Sequence, residues 1–158
     1  MNNTSNTTSR FRLTPHQSAV GLGFLVLRLV AGIALMLHGW PKIQNPLGWM
    51  GPEGTTPAFF QLLAAVAEFG GGLALIVGLL TRLASFGILC TMAVATSFHI
   101  SRGDPFVGKD GSYEPALLFF SIAALFLLAG AGPFSLDALF FRSRTPSLRS
   151  EADASVRV

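Results

Sequence analysis

Between Ala19 and Leu37 the chain runs for 19 residues with a single charge, Arg28. A helix of that length rises about 29 Å, the thickness of a hydrocarbon core. Such a stretch crosses a bilayer as a helix, because lipid offers no partner to an open backbone amide. Arg28 falls nine residues into the run, about 13 Å from its start and too deep to reach a headgroup easily. A guanidinium at that depth costs about 2.5 to 3.5 kcal/mol on insertion scales. The sequence therefore predicts that Arg28 faces protein and meets a partner there.

The rest of the chain has the same character. Of 158 residues, 51% are hydrophobic and 12% charged, against about 25% charged in soluble domains. One cysteine, Cys90, excludes an internal disulfide, a Cys-x-x-Cys pair and a cysteine-ligated cluster; inside its apolar run it reads as a small buried residue. The net charge is +3, but the basic residues flank the apolar runs and form no stripe interleaved with aromatics. They fit orientation in a bilayer, and nucleic acid is not an expected partner.

Read in order, residues 1–17 are rich in Asn, Ser and Thr and are expected to be disordered, with sequons at Asn2, Asn3 and Asn6. The first apolar run is too long, and too marked by Arg28, for a cleaved signal peptide. Spans are expected at 19–38, 57–80, 83–99 and 113–129, making residues 18–141 an all-α, four-transmembrane-helix bundle. Glu68 sits eleven residues into the second span, and is the expected partner of Arg28. Gln61, Ala65, Glu68 and Gly72 share one face of that helix, and Gly21, Arg28, Gly32 and Gly39 share a face of the first, so the two faces are expected to meet closely. On the third span Ser85, Met92, Thr96 and His99 share a face; on the fourth, Glu114 and Ser121 do. Residues 134–141 predict a short interfacial helix with Ser135 as N-cap, and the tail after Arg142 is expected to be disordered. Arg10, Arg12, Arg82, Arg142, Arg144 and Arg149 on one side outnumber Lys42, Arg102 and Lys109 on the other, six to three. Both termini are thus expected in the cytoplasm.

Two polar layers follow. Arg28 and Glu68 make a midplane layer; His38, Lys42, His99 and Glu114 reach an outer one. Titratable groups gathered at one depth serve proton transfer, anion binding or capture of a polar headgroup. The same residues also have structural readings: a buried pair that keeps two helices in register, histidines bonded to loops, an anchoring lysine, and a glutamate at a helix N-terminus. Two histidines without a second pair or a carboxylate-histidine motif argue only weakly for haem or copper, and no metal site is expected.

With these residues in place, the chain resembles the DoxX family of small four-helix membrane proteins. The likeness rests on Leu27-Arg28; His38-Gly39-x-x-Lys42; Glu68-Phe69-Gly70-Gly71-Gly72-Leu73; Gly78-Leu79-Leu80-Thr81-Arg82; His99; Gly111-x-x-Glu114; and Gly130-x-Gly132-x-x-Ser135-Leu136-Asp137. It implies a multi-pass protein of the cytoplasmic membrane, linked to quinone-dependent oxidation, thiol-redox homeostasis or quinone and catechol stress. Its polar pattern falls on Arg28, His38, Lys42, Glu68, Arg82, His99 and Glu114.

The expected function is a membrane subunit of a quinone-linked oxidoreductase system. His38 and His99 would contact the ring carbonyls, Glu114 would exchange protons, and Lys42, Arg28 and Glu68 would bind and floor the site. With no second cysteine, flavin fingerprint or metal motif in the sequence, the redox centre is expected on a soluble or membrane partner. A rival reading is a non-catalytic anchor that recruits such a partner through the loop Gln44 to Thr56, with Trp49 exposed. Transport of a small solute or protons ranks last, since no inverted repeat is evident.

Overall fold

The structure, a computed structural model, describes residues 14–109 and 111–140. The sequons, the expected disorder before residue 14 and after 140, and five of the arginines used for orientation lie outside those residues. Four long helices, α1 (Pro15–Gln44), α2 (Ala58–Val77), α3 (Thr81–Ser101) and α4 (Glu114–Ala129), are followed by a short one, α5 (Leu136–Phe140). Among the described residues there is no strand. By length and composition α1, α2 and α3 can cross a membrane; α4, at 16 residues, rises about 24 Å.

The first helix starts four residues earlier than its apolar run. Thr14 and Gln17 form a capping box: the Gln17 amide donates to Thr14 Oγ1 at 3.3 Å and the Thr14 amide to Gln17 Oε1 at 3.1 Å, with Pro15 at the first helical position. At the other end the helix continues through Pro41 to Gln44. Lys42 is consequently a helical residue, one turn beyond His38, rather than part of the following loop.

The second helix contains a π-helical turn, Val66–Gly70, with Glu68 at its centre. It ends at Gly78, whose φ of 71° suits glycine. Leu80 is also left-handed, at φ 50°, a conformation that disfavours an L side chain. Asp137 of α5 holds the turn, its carboxylate accepting from the Leu80 amide at 2.7 Å and the Thr81 amide at 2.9 Å. It acts as an N-cap for α3 supplied from elsewhere in the chain.

The expected faces of α1 and α2 meet at Gly32, Gly39 and Gly72, whereas Gly21 packs on Pro133 instead. A Cβ on Gly32 would lie 2.7 Å from the Gly72 carbonyl oxygen, and one on Gly39 would lie 2.5 Å from the Phe69 amide. Only glycine permits backbones that close. The α1–α2 contact is the most extensive packing in the bundle, followed by that of α3 on α4, while α1 meets α4 edge-on through Phe24 with Phe126 and His38 with Phe119, both at 5.9 Å. Leu35, Leu75, Ile88, Met92, Ala116, Ala123 and Phe126 fill the centre. The outer surface is apolar: Val30 is 64%, Leu37 70% and Leu128 79% exposed, an arrangement suited to lipid rather than water. Cys90 belongs to that outer surface, not to the interior as its setting had suggested.

Candidate functional site

Polar groups cluster at two ends of the bundle. At the end carrying the α2–α3 turn, Arg28 is 1% exposed and donates through Nη1 to the Ala131 carbonyl at 2.7 Å and through Nη2 to the Phe134 carbonyl at 2.9 Å. It packs so closely on Gly78 that a Cβ there would fall 2.6 Å from Nη1. The Asp137 amide donates to the Gly78 carbonyl at 2.8 Å, and Arg82 Nη2 to the Leu128 carbonyl at 3.3 Å. The segments Gly78–Arg82 and Gly130–Asp137, far apart in sequence, are two halves of one latch.

The expected Arg28–Glu68 pair does not form. Gly32 rests on Gly72 and Gly39 on Glu68 and Phe69, so Glu68 lies level with a residue eleven positions beyond Arg28 on α1, about 16 Å along the axis. Counting from the starts of the apolar runs gave the two charges a common depth; α2 begins within one residue of the expected start, but α1 runs from Pro15 to Gln44, well past both expected ends, so equal counts do not give equal heights. Backbone carbonyls that the chain exposes after α4 take Arg28 Nη1 and Nη2 instead, and its Nε is buried without a partner among the described residues.

Glu68 pairs with Lys42 at the opposite end, Nζ donating to Oε1 at 2.5 Å. Its side chain is 3% exposed and that of Lys42 22%. Glu68 Oε2 is buried without a hydrogen-bond partner among the described residues. The ammonium also lies over the Trp49 ring, 4.6 Å from its centroid, a favourable cation–π placement. Trp49 is turned inward, contrary to the exposed position expected of it: its indole N–H donates to the Gln61 carbonyl at 3.0 Å. The Gln61 side chain accepts from the Met50 amide at 3.1 Å and donates to the Thr56 carbonyl at 2.8 Å. One buried amide on α2 therefore folds the α1–α2 loop down over the Lys42–Glu68 pair.

The other expected site residues separate into two places. His38 is exposed on the same face of α1 as Lys42, its ring edge-on to Phe119 and without a hydrogen bond among the described residues. His99 is held by Asp104, Nδ1 to Oδ2 at 2.7 Å, a partner the sequence reading passed over. Glu114 is half-buried at the start of α4, its amide donating to the Phe106 carbonyl at 3.2 Å; it lies five residues from the Phe119 on which His38 packs. His38, Lys42 and Glu68 thus share one locality, and His99 belongs with the α3–α4 loop. Among the described residues no group of three or more His, Cys, Asp or Glu is placed to hold a metal ion.

The DoxX family profile matches residues 23–100. An uncharacterized Haemophilus influenzae protein is 35% identical over 73% of this chain and 89% of its own length. The chain belongs to the DoxX family. Two further relatives are the Escherichia coli protein named "Inner membrane protein YqjF", 34% identical over 75% of this chain and 92% of its own, and the Bacillus subtilis protein named "Putative oxidoreductase CatD", 28% identical over 78% and 90%. No solved structure gives a significant match. The profile covers the part of this DoxX chain that carries Arg28, His38, Lys42, Glu68 and His99. Asp104, Glu114 and Asp137 lie beyond it.

Proposed function

We propose that this DoxX protein crosses the cytoplasmic membrane four times with both termini inside, and serves as the membrane subunit of a quinone-linked redox system. The name of the Bacillus relative and the membrane character of the family support that setting. The observation that carries the ligand is the His38–Lys42 face of α1. Lys42 offers donor protons to a ring carbonyl, and Glu68 beneath it fixes the ammonium so that it is not lost to a headgroup. Trp49 and Phe119 supply flat apolar surfaces for the ring, and His38 opens on the lipid side, the route by which an apolar quinone arrives. Reducing a quinone takes two electrons and two protons; the electrons come from a partner that carries the redox centre.

The test is organic extraction and quinone quantitation on the full chain purified in mild detergent, followed by titration with a short-chain benzoquinone read by tryptophan fluorescence. Near-stoichiometric quinone is expected. Lys42→Met should weaken the titration about tenfold or more, the equivalent of one lost charged hydrogen bond. A folded protein that neither carries nor binds quinone would sink the proposal. The anchor reading relied on an exposed Trp49, and the inward fold of that residue leaves it without a supporting contact.

A further inference from the structure

We propose that Asp104 is a positioning residue that makes His99 a hydrogen-bond acceptor for a phenolic hydroxyl. The loop end of the bundle then selects the hydroquinone form of the ring. This rests on the quinone-linked reading and names the ligand form that a second set of residues would take.

His99 lies in the last turn of α3. There the chain reverses: the Arg102 amide donates to the Phe98 carbonyl at 3.2 Å, the Gly103 amide to the Ile100 carbonyl at 3.0 Å, and the Asp104 amide to the His99 carbonyl at 3.1 Å. Gly103 makes the reversal possible at φ 78°. It brings the Asp104 carboxylate back onto the ring, so the two residues are joined through both backbone and side chain. Gly111 backs the carboxylate; a Cβ there would sit 3.4 Å from Asp104 Cγ. The loop is tied to the start of α4 by the Tyr113 amide on the Pro105 carbonyl at 3.4 Å and by the Phe106–Tyr113 ring contact at 5.3 Å. Asp104 has little freedom to leave the ring.

An ionised carboxylate only accepts, so the Nδ1 that faces it carries the proton. On a neutral imidazole Nε2 is then a lone-pair acceptor. The ring is 33% exposed, within reach of a ligand. Arg102 lies over Phe98 at 5.5 Å; Tyr113 and Glu114 begin the helix packed on α3, and Gln61 and Glu68 occupy α2. None of these hydrogen-bonds the His99 ring among the described residues. An acceptor aimed at a ligand favours O–H over C=O, the reverse of what Lys42 favours. Without a hydroxyl opposite it, the Nε2 lone pair faces another acceptor.

The test uses the full chain in detergent with ¹⁵N-labelled histidine. The nitrogen shifts of His99, assigned with His99→Gln, report which ring nitrogen carries the proton. Wild type should show Nδ1–H. Asp104→Asn, whose amide N–H can donate to Nδ1, should move the proton to Nε2, and Asp104→Ala should release the ring from either constraint. Binding of a soluble benzohydroquinone and its matching benzoquinone is then compared without oxygen. Wild type should bind both rings, and Asp104→Asn should reduce hydroquinone binding about tenfold while leaving benzoquinone binding unchanged. An Nε2–H wild-type ring overturns the inference whatever the variants do, as does hydroquinone binding that is indifferent to Asp104. If Lys42→Met still weakens benzoquinone binding in that case, only the hydroxyl site falls. Absence of binding by either ring would remove the quinone-linked reading as well.

Discussion

The two ends of the bundle handle buried charge in opposite ways. At the α2–α3 turn, Arg28 has both terminal nitrogens bonded to carbonyls, and Asp137 has both carboxylate oxygens on amides. At the other end Glu68 has one oxygen on Lys42 and one buried without a partner, while Lys42 and His38 reach the surface. The latch ties both charged groups to fixed backbone atoms, although Arg28 Nε and Thr81 Oγ1 are buried there without a partner among the described residues. The Lys42–Glu68 pair instead joins two side chains, one of them partly exposed, and such a pair is a place where a ligand or a proton can still be received.

The comparison breaks most easily at the latch. Arg28→Met should cost about 3 kcal/mol of stability, because it leaves the buried Ala131 carbonyl and the partly buried Phe134 carbonyl without donors; unfolding of the purified protein in detergent would measure it. Lys42→Met comes next at about 2 kcal/mol, less than a fully buried pair would lose because Lys42 is partly exposed. Adding Glu68→Leu to it should recover part of that loss, since no lone carboxylate remains. Asp137→Ala should cost about 1 kcal/mol, the usual worth of an N-cap, and should raise amide exchange at Leu80 and Thr81 selectively. The smallest effect sharpens the comparison: Arg28→Met and Glu68→Gln should combine additively to within about 0.5 kcal/mol in a double-mutant cycle, as distant sites do. A larger coupling would mean that the two charges do meet.

Much of the fold was legible in the sequence because hydrophobic period and small-residue faces are local signals. Gly32, Gly39 and Gly72 announced the α1–α2 contact, and Ser135 the cap of α5, where its Oγ accepts from the Ala138 amide at 3.1 Å. Thr14-Pro15-His16-Gln17 spells out a capping box, a local signal that the Asn, Ser and Thr content of residues 1–17 masks. The partner of Arg28 was not legible, because carbonyls leave no residue-type mark and because charge-to-charge matching favours the nearest acid at similar nominal depth. Lys42 reaching Glu68 depended on the helix continuing past Pro41, against the usual preference of proline for ending one. His99–Asp104 depended on the reversal at Gly103, for which His-x-x-x-x-Asp with an intervening glycine was the available signal.

Mechanically, α1 is one uninterrupted rod of 30 residues, about 45 Å long. Arg28 is fastened at one point along it, and His38 and Lys42 ride about 15 to 21 Å further on. Gly32 and Gly39 press the span between onto the backbone of α2. Such a rod transmits a tilt instead of absorbing it, so a force on the Lys42 end pulls against the clamp at Ala131 and Phe134. The stiffness of the surface around Lys42 is therefore set partly by two carbonyl groups at the opposite end of the bundle.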